Sequence, residues 1–285
     1  MEIARSFGGR IVNADSLQVY RDMPVLTARP TEEDEAAVPH ALYGYCAADE
    51  PMSAGRYLRE AEKVLAACRA EGRMPIFCGG TGLYFKALLG LLDAMPNVPD
   101  EVRDKWRARL SEDGPEALHS ELSAIDPMTA ERLKPRDGQR IVRALEIHEA
   151  TGTPLSQLQA GRGEGILDTR STLKIVLTPD RALLRARIAE RFDQMLEIGA
   201  LDEVRDYLAR RPDEGRFVEK AIGFAELAHV LDGKATIEDA RERAVTRTRQ
   251  YAKRQETWFR HQFDESWLRF ADGDEALERA RSALE

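Results

Sequence analysis

The run Pro75-Ile76-Phe77-Cys78 is uncharged and only four residues long, and it passes directly into Gly79-Gly80-Thr81-Gly82 and a helical stretch from Leu83 to Leu92. Short apolar strands without alternation belong to parallel sheets, which helices cover on both faces. Glycines at the strand's end let the backbone turn sharply and approach a neighbour closely. A second passage has the same character: Ile11-Val12-Asn13 leads into Ala14-Asp15-Ser16-Leu17-Gln18-Val19-Tyr20, which sets a carboxylate and a hydroxyl just past a strand. In an open α/β sheet, ligands sit beyond the carboxyl ends of the parallel strands. The two passages therefore predict one sheet edge and one active site. Thr81 at the head of the helix is either a plain cap or part of an anion site, since free N–H groups and the helix dipole favour negative charge there.

A chain of 285 residues can bury a full core and predicts one main domain with a lesser one. No apolar run reaches the roughly 18 to 20 residues of a membrane span; Lys86 and Asp93 interrupt the best candidate. The opening Met1-Glu2-Ile3-Ala4-Arg5 has no apolar leader, and the scattered Cys46, Cys68 and Cys78 suit neither a disulfide frame nor a zinc site. A reducing, cytoplasmic setting is expected. The net charge of -8 does not advertise nucleic-acid binding, which needs clustered Lys and Arg. Residues 241–260 nevertheless carry Arg241, Arg243, Arg247, Arg249, Lys253, Arg254 and Arg260 against only Glu242 and Glu256. Such a stretch is either a solvated helix face or a local basic surface.

In chain order, residues 1–7 read as a helix without an N-cap that stops at Gly8-Gly9. Residues 27–35 and 39–42 read as surface loops, with His40 a structural hydrogen-bonder rather than a catalyst. Ser53 caps a helix whose Leu58, Ala61, Val64, Leu65 and Cys68 follow the helical period up to Gly72. Residues 96–168 show no strand but four helical stretches, 99–110, 115–125, 127–133 and 136–151, followed by a glycine-rich link at 161–165. This predicts a helical insertion, residues 97–168, within an α/β core of residues 1–96 and 169–285. Arg140 and Arg143, three apart, share a helix face; core packing accounts for Ile141, Leu145 and Ile147 but not for them. The α/β pattern resumes with a strand at 173–177 and a helical region at 181–208. There Arg181, Arg185, Arg187 and Arg191 either pair with Glu190 and Glu197 or form an anion clamp. A final helix at 237–263 carries Tyr251, Trp258 and Phe259, and a last strand at 267–270 joins the sheet.

Seven segments in one order carry a family resemblance: IVNADSLQVYR (11–21), LTARP (26–30), PIFCGGTGLYFKALL (75–89), GQRIVRALEI (138–147), RIAERFDQMLEIGALDEV (187–204), KAIGFAEL (220–227) and RTRQYAKRQETWFR (247–260). In these the chain resembles the bacterial tRNA dimethylallyltransferases, also called tRNA isopentenyltransferases. The resemblance implies a P-loop NTPase-like parallel sheet flanked by helices, with an inserted all-helical domain that grips the anticodon stem-loop. It implies transfer of the dimethylallyl group from dimethylallyl diphosphate to N6 of adenosine 37 of tRNA, with Mg²⁺, by a monomer. By matched position, Asp15 is the base near N6, Thr81 addresses the diphosphate with the metal, to which Asp15 also belongs, and Arg191 stabilises the leaving diphosphate. Ser16, Leu17 and Gln18 hold the adenine side. Arg103, Gln139, Arg140, Arg143, Lys220, Gly223, Lys253, Arg254, Gln255, Trp258 and Arg260 match tRNA-contacting positions.

Family members begin with a strand and a Walker-type phosphate loop ahead of the helix that opens this chain, and no Gly-x-x-x-x-Gly-Lys occurs in it. The expectation is a start upstream of Met1, and the chain as written is expected to bind dimethylallyl diphosphate poorly and to be marginally stable. Three other readings stay open: an adenylate isopentenyltransferase acting on a free nucleotide, a truncated, catalytically impaired tRNA-binding protein, and a nucleoside triphosphate kinase.

Overall fold

A computed structural model describes residues 1–93, 95–158, 163–210 and 216–284. The chain divides into two compact units, Met1–Leu89 with Gly165–Glu285, and Gly90–Glu164. The second begins and ends several residues before the expected 97–168. Gly161 of the glycine-rich link, with Arg162, lies outside the described residues.

The first unit opens with helix α1 (Glu2–Ser6), which has no side-chain cap, and turns through Gly8 at φ +60° into strand β1 (Gly9–Asn13). Strand β1 is the middle of a three-stranded parallel sheet, between β2 (His40–Ala41) and β3 (Met74–Cys78), with Ile11 opposite both His40 and Ile76. Central position explains why Ile11, Val12 and Asn13 are all buried. The expected loops at 27–35 and 39–42 are partly regular. Residues Glu32–Ala37 form helix α2, closed by a capping box between Thr31 and Asp34, and His40 lies in β2 with Nδ1 2.7 Å from the Val38 carbonyl oxygen. Strand β3 departs from the expectation of cover on both faces: it is an edge strand, half-exposed, with Cys78 exposed.

Helix α3 (Ala54–Glu71) starts at Ser53, whose hydroxyl accepts the Arg56 N–H at 3.2 Å, and ends at Gly72 in the left-handed region at φ +64°. It buries Tyr57, Ala61, Leu65 and Cys68. Tyr57 stacks on Tyr84 at 3.8 Å between centroids and donates its hydroxyl to the Asn13 carbonyl at 2.9 Å. Tyr84 belongs to α4 (Gly82–Leu88).

Strand β4 (Ile175–Leu177) pairs in parallel with β5 (Leu268–Phe270) as a separate sheet. Among the described residues no ladder carries β5 into the three-stranded sheet, contrary to expectation. The expected helix at 181–208 is two, α8 (Arg181–Glu197) and α9 (Ala200–Ala209), because Gly199 takes φ +106° between them. Helices α10 (Phe224–Leu231) and α11 (Ile237–Gln262) follow. Helix α11 is not the last: α12 (Gly273–Leu284) comes after β5, and Asp272 accepts the N–H groups of Asp274 and Glu275 at its start, at 3.0 and 2.9 Å. The unit is thus parallel sheet flanked by helices, with one main core that includes Val19, Tyr57, Leu88, Phe192, Val204 and Leu227.

The second unit is helical, as its capped segments predict. Helix α5 (Asp100–Ile125) contains non-helical Gly114 (φ +79°, ψ 165°) just before Pro115, so it is two helical segments in one. Helices α6 (Pro127–Arg132) and α7 (Gly138–Thr151) complete it around Trp106, Leu118, Leu122, Ile141 and Leu145. All three cysteines are free, and among the described residues no helix is long and apolar enough to cross a membrane.

Candidate active site

Asp15 stands two residues past β1. Its Oδ1 is committed, accepting the Leu17 N–H at 2.8 Å and the Gln18 N–H at 3.4 Å. A short carboxylate reaches the amides two and three residues on, which is why aspartate builds such turns. Buried Asn13 locks the other side: its Oδ1 accepts the Asp15 N–H at 2.8 Å, and its Nδ2 donates to the Asp15 and Leu42 carbonyls, each at 3.0 Å. Among the described residues Asp15 Oδ2 has no hydrogen bond, and it lies 3.5 Å from where a Cβ on Gly80 would stand. The turn is rigid and one carboxylate oxygen is open.

Thr81 is the N-cap of α4, yet its hydroxyl makes no capping bond. Its Oγ1 accepts the Ser16 N–H at 2.9 Å, and its own N–H goes to the Ala14 carbonyl at 3.0 Å. The plain-cap reading gives way to a staple between the head of α4 and the Asp15 turn. A hydroxyl that accepts one bond still has its proton to donate.

Glycines make this approach possible. A Cβ on Gly79 would lie 2.3 Å from the Ala14 carbonyl carbon, on Gly80 2.2 Å from Gln255 Nε2, and on Gly82 1.9 Å from the Trp258 ring. At Gly79 the neighbour is backbone and cannot give way, whereas at Gly80 and Gly82 a side chain of α11 would have to move. Helix α11 therefore seats Gln255 and Trp258 directly on the 79–82 loop, with Gln255 Nε2 donating to the Gly80 carbonyl at 2.8 Å. One turn earlier, burial and then the charge of Asp15 push the Tyr251 phenol upward. Burial does the same for Tyr43 and Tyr84, with the Asp15 charge contributing. These phenols stay protonated at neutral pH. A groove of about 600 Å³ runs along α11, its lining including Lys253, Arg254, Thr257 and Trp258.

Arg191, on α8, is solvent-accessible, yet burial alone pulls its guanidinium pKa down. No carboxylate answers it among the described residues. The other α8 arginines do not form one stripe: at about 100° per residue, Arg185 and Arg187 point roughly 200° apart. Arg181 pairs with Glu256 of α11 at 3.4 Å, and among the described residues none of the four pairs with Glu190 or Glu197, so the bland reading of that run fails.

The basic stretch of α11 splits in the same way. Arg241 binds Asp193 of α8 at 2.6 Å and Arg247 binds the nearly buried Glu226 at 2.5 Å, while Arg260 pairs with Glu256. Arg243, Arg249, Lys253 and Arg254 are left without an ion pair among the described residues, and Arg254 lies 5.9 Å over the Tyr251 ring. Lys220 lies 5.4 Å over the Phe217 ring. Gly223 is buried at φ +105°, where a Cβ would meet Leu26 at 2.6 Å and Phe192 at 3.1 Å. Its part is conformational.

Nearer the turn, Gln18 donates both amide hydrogens, to the Thr27 and Ala28 carbonyls at 2.9 and 2.8 Å, and only its carbonyl oxygen is free for a ligand. Leu17 packs on the core. In the helical unit, Arg103 pairs with Asp100 at 3.0 Å and Gln139 is exposed in the first turn of α7. Arg140 and Arg143 line one depression of about 260 Å³ together with Arg132, as their spacing predicts. Arg143 also pairs with the nearly buried Glu146, three residues on, at 3.1 Å.

Sequence reasoning missed Asn13 and Tyr251 beside this site. A polar residue inside an apolar strand was the available signal for Asn13.

The family model described as IPP transferase matches residues 18–262. The chain is 51% identical over 277 residues to a tRNA dimethylallyltransferase of Sinorhizobium medicae (strain WSM419), covering 97% of this chain and 90% of that protein. A tRNA dimethylallyltransferase of Rhizobium meliloti (strain 1021) is 51% identical over 274 residues, with 96% and 90% covered. Among solved structures, the full-length tRNA isopentenylpyrophosphate transferase from Bacillus halodurans is similar at TM-score 0.67 and 32% identity, covering 99% of this chain and 89% of that one. A eukaryotic dimethylallyltransferase acting on tRNA is similar at TM-score 0.77 and 28% identity, covering 99% and 72%.

Proposed function

The chain belongs to the IPP transferase family, and from that footing we infer that it transfers a dimethylallyl group to tRNA. The proposed acceptor is N6 of adenosine 37, beside the anticodon, and the donor is dimethylallyl diphosphate. The observation that carries this reading is the pinned Asp15 turn, with Oδ2 open beside the Thr81 hydroxyl's staple. As the C1–O bond to diphosphate breaks and the N6–C1 bond forms, the N6 proton goes to Asp15 Oδ2. Charge grows on the departing diphosphate, and the Thr81 hydroxyl donates to it while Arg191, a cation without a carboxylate partner among the described residues, supplies positive charge. Ser16, Leu17 and Gln18 would frame the adenine, which leaves its stack at a cost of a few kcal/mol.

A divalent metal suits this chemistry, and Mg²⁺ is the proposed one. Thr81 Oγ1 and, before it takes the proton, Asp15 Oδ2 are hard oxygen donors of the kind Mg²⁺ accepts alongside water and substrate phosphates. Among the described residues no group of three His, Cys, Asp or Glu side chains could hold a metal by itself. A metal held by these oxygens would neutralise charge on the leaving group.

The helical unit would meet the anticodon stem-loop through Arg103, Gln139, Arg140 and Arg143. Lys220, the turn at Gly223, and Lys253, Arg254, Gln255, Trp258 and Arg260 would meet it from the first unit. Single-stranded loops are held by stacking and by Arg and Lys contacts of this type. The proposal places the protein in the cytoplasm as a monomer.

The test is transfer of labelled dimethylallyl from its diphosphate to an anticodon stem-loop carrying adenosine 37, with AMP as the competing acceptor. Product on the stem-loop alone is expected, and Asp15→Asn should lower the rate by about 10² to 10⁴. Product on AMP would favour the free-nucleotide reading. An unimpaired Asp15→Asn variant would remove Asp15 as the base.

A further inference from the structure

Glu203, on α9, uses both carboxylate oxygens on two successive backbone amides, Val25 at 2.8 Å and Leu26 at 2.9 Å. The partners are 178 and 177 positions apart in the chain, so nothing local placed them together. The turn they hold is conformationally unfavourable: Met23 and Ala28 sit at φ +60° and +53°, a region that side chains with a Cβ avoid. Within it, the Thr27 N–H and hydroxyl both reach the Met23 carbonyl, at 3.0 and 2.7 Å, and the Arg29 N–H reaches that of Pro24 at 2.9 Å.

Two side chains grip this turn from outside. Glu203 accepts its amides, and Gln18 donates to its carbonyls at Thr27 and Ala28. Gln18 is also the residue whose own N–H reaches Asp15 Oδ1. The connection from Glu203 to Asp15 is therefore continuous: carboxylate, amides of 25 and 26, carbonyls of 27 and 28, Gln18, Asp15. A carboxylate whose ionisation burial disfavours is retained there for its two bonds, which pull its pKa back only in part.

We propose that Glu203 is a positioning residue for Asp15, acting through the 23–29 turn and Gln18 to set the carboxylate that takes the proton. The inference rests on the proton-accepting role given to Asp15 above. It explains why a strained turn with no chemistry of its own adjoins the Asp15 segment.

Amide hydrogen exchange on the full chain tests the linkage without requiring turnover. In Glu203→Gln, exchange should rise at Val25 and Leu26 and also at Leu17 and Gln18, whose N–H groups Asp15 holds. Faster exchange at Val25 and Leu26 with Leu17 and Gln18 unchanged overturns the proposal, because Glu203 would then only anchor the turn. In the transfer assay Glu203→Gln should lower kcat by about tenfold, the effect of a slightly misplaced reacting group, with KM for the stem-loop nearly unchanged. Adding Gln18→Ala should raise exchange at Leu17 little further, since both act along one path. An additive double variant refutes the path. If Glu203→Gln does not fold, Gln18→Ala alone decides: exchange at Leu17 must rise while Val25 and Leu26 stay protected. A wild-type chain that transfers nothing even at saturating dimethylallyl diphosphate refutes the proposed function, while the exchange experiment still judges the linkage.

Discussion

At the scale of single residues, the site depends on positions where a side chain is absent as much as on those that carry chemistry. Gly82 is the sharpest case, since a Cβ there would stand 1.9 Å from the Trp258 ring. Gly82→Ala should destabilise the first unit by about 1 to 3 kcal/mol, the cost of forcing extra atoms into a packed contact. It should also shift Trp258 fluorescence to the red; an unchanged melt and spectrum would mean the ring yields freely. Thr81→Val tests the staple: without an oxygen to accept the Ser16 N–H, transfer should fall although the cap of α4 is unaffected. Asp15 and Thr81 were legible from their place at the ends of two apolar runs. The atoms they bond were not, because a strand pattern says where a residue points and not which neighbour arrives beside it.

Among elements, the helical unit shows how local wiring sets stability. Asp126 is buried, and it accepts the Thr129 N–H at 3.0 Å, the Thr129 hydroxyl at 2.7 Å and the Ser156 N–H at 2.8 Å, tying α6 to the 3₁₀ turn Leu155–Gln157. Burial opposes its ionisation, but the bonds from Ser156 and Thr129 outweigh it and hold the carboxyl below its ordinary 3.8. A folded pKa below the unfolded one contributes stability that is fully present above the unfolded value and lost as pH falls through the folded value. Melting of this unit should therefore drop as the pH falls below about 4 by more in the wild type than in Asp126→Asn. Equal acid sensitivity of the two would show that Asp126 is not the titrating group. Asp126→Ala, which strands two buried donors on Thr129 and the half-buried Ser156 N–H, should cost about 1 to 3 kcal/mol at neutral pH. The helices of this unit were readable because caps and prolines are sequence-local signals. The break at Gly199 and helix α12 were legible in principle, from a glycine in mid-pattern and from Asp272 ahead of an acidic first turn.

Across the whole molecule, two units with separate cores predict two unfolding reporters: Trp106 for the helical unit, and Trp267 for the first. Leu145→Ala should lower the Trp106 transition, at a cost of about 2 to 5 kcal/mol, and leave that of Trp267 in place. Equal shifts at both reporters would mean that one cooperative unit unfolds. An acidic protein that holds RNA through few cations should show a shallow salt dependence, and Arg140→Gln should reduce the log-log slope by about 0.7 to 0.9. A slope unchanged by that substitution would take Arg140 off the phosphate backbone. What the sequence determined by itself was everything carried by neighbours in the chain: the strand-to-turn passages, the cap at Ser53, the helical insertion and the family. Tertiary structure alone decided which charges are free, since Arg241 and Arg247 look like RNA ligands until Asp193 and Glu226 arrive beside them from other helices. It also decided that Gln255 and Trp258 close on the 79–82 loop and that Glu203 reaches the turn beside Asp15. Those pairs lie from 21 to 178 positions apart, and a side chain's partner at such a distance depends on where whole elements pack, which no local pattern encodes.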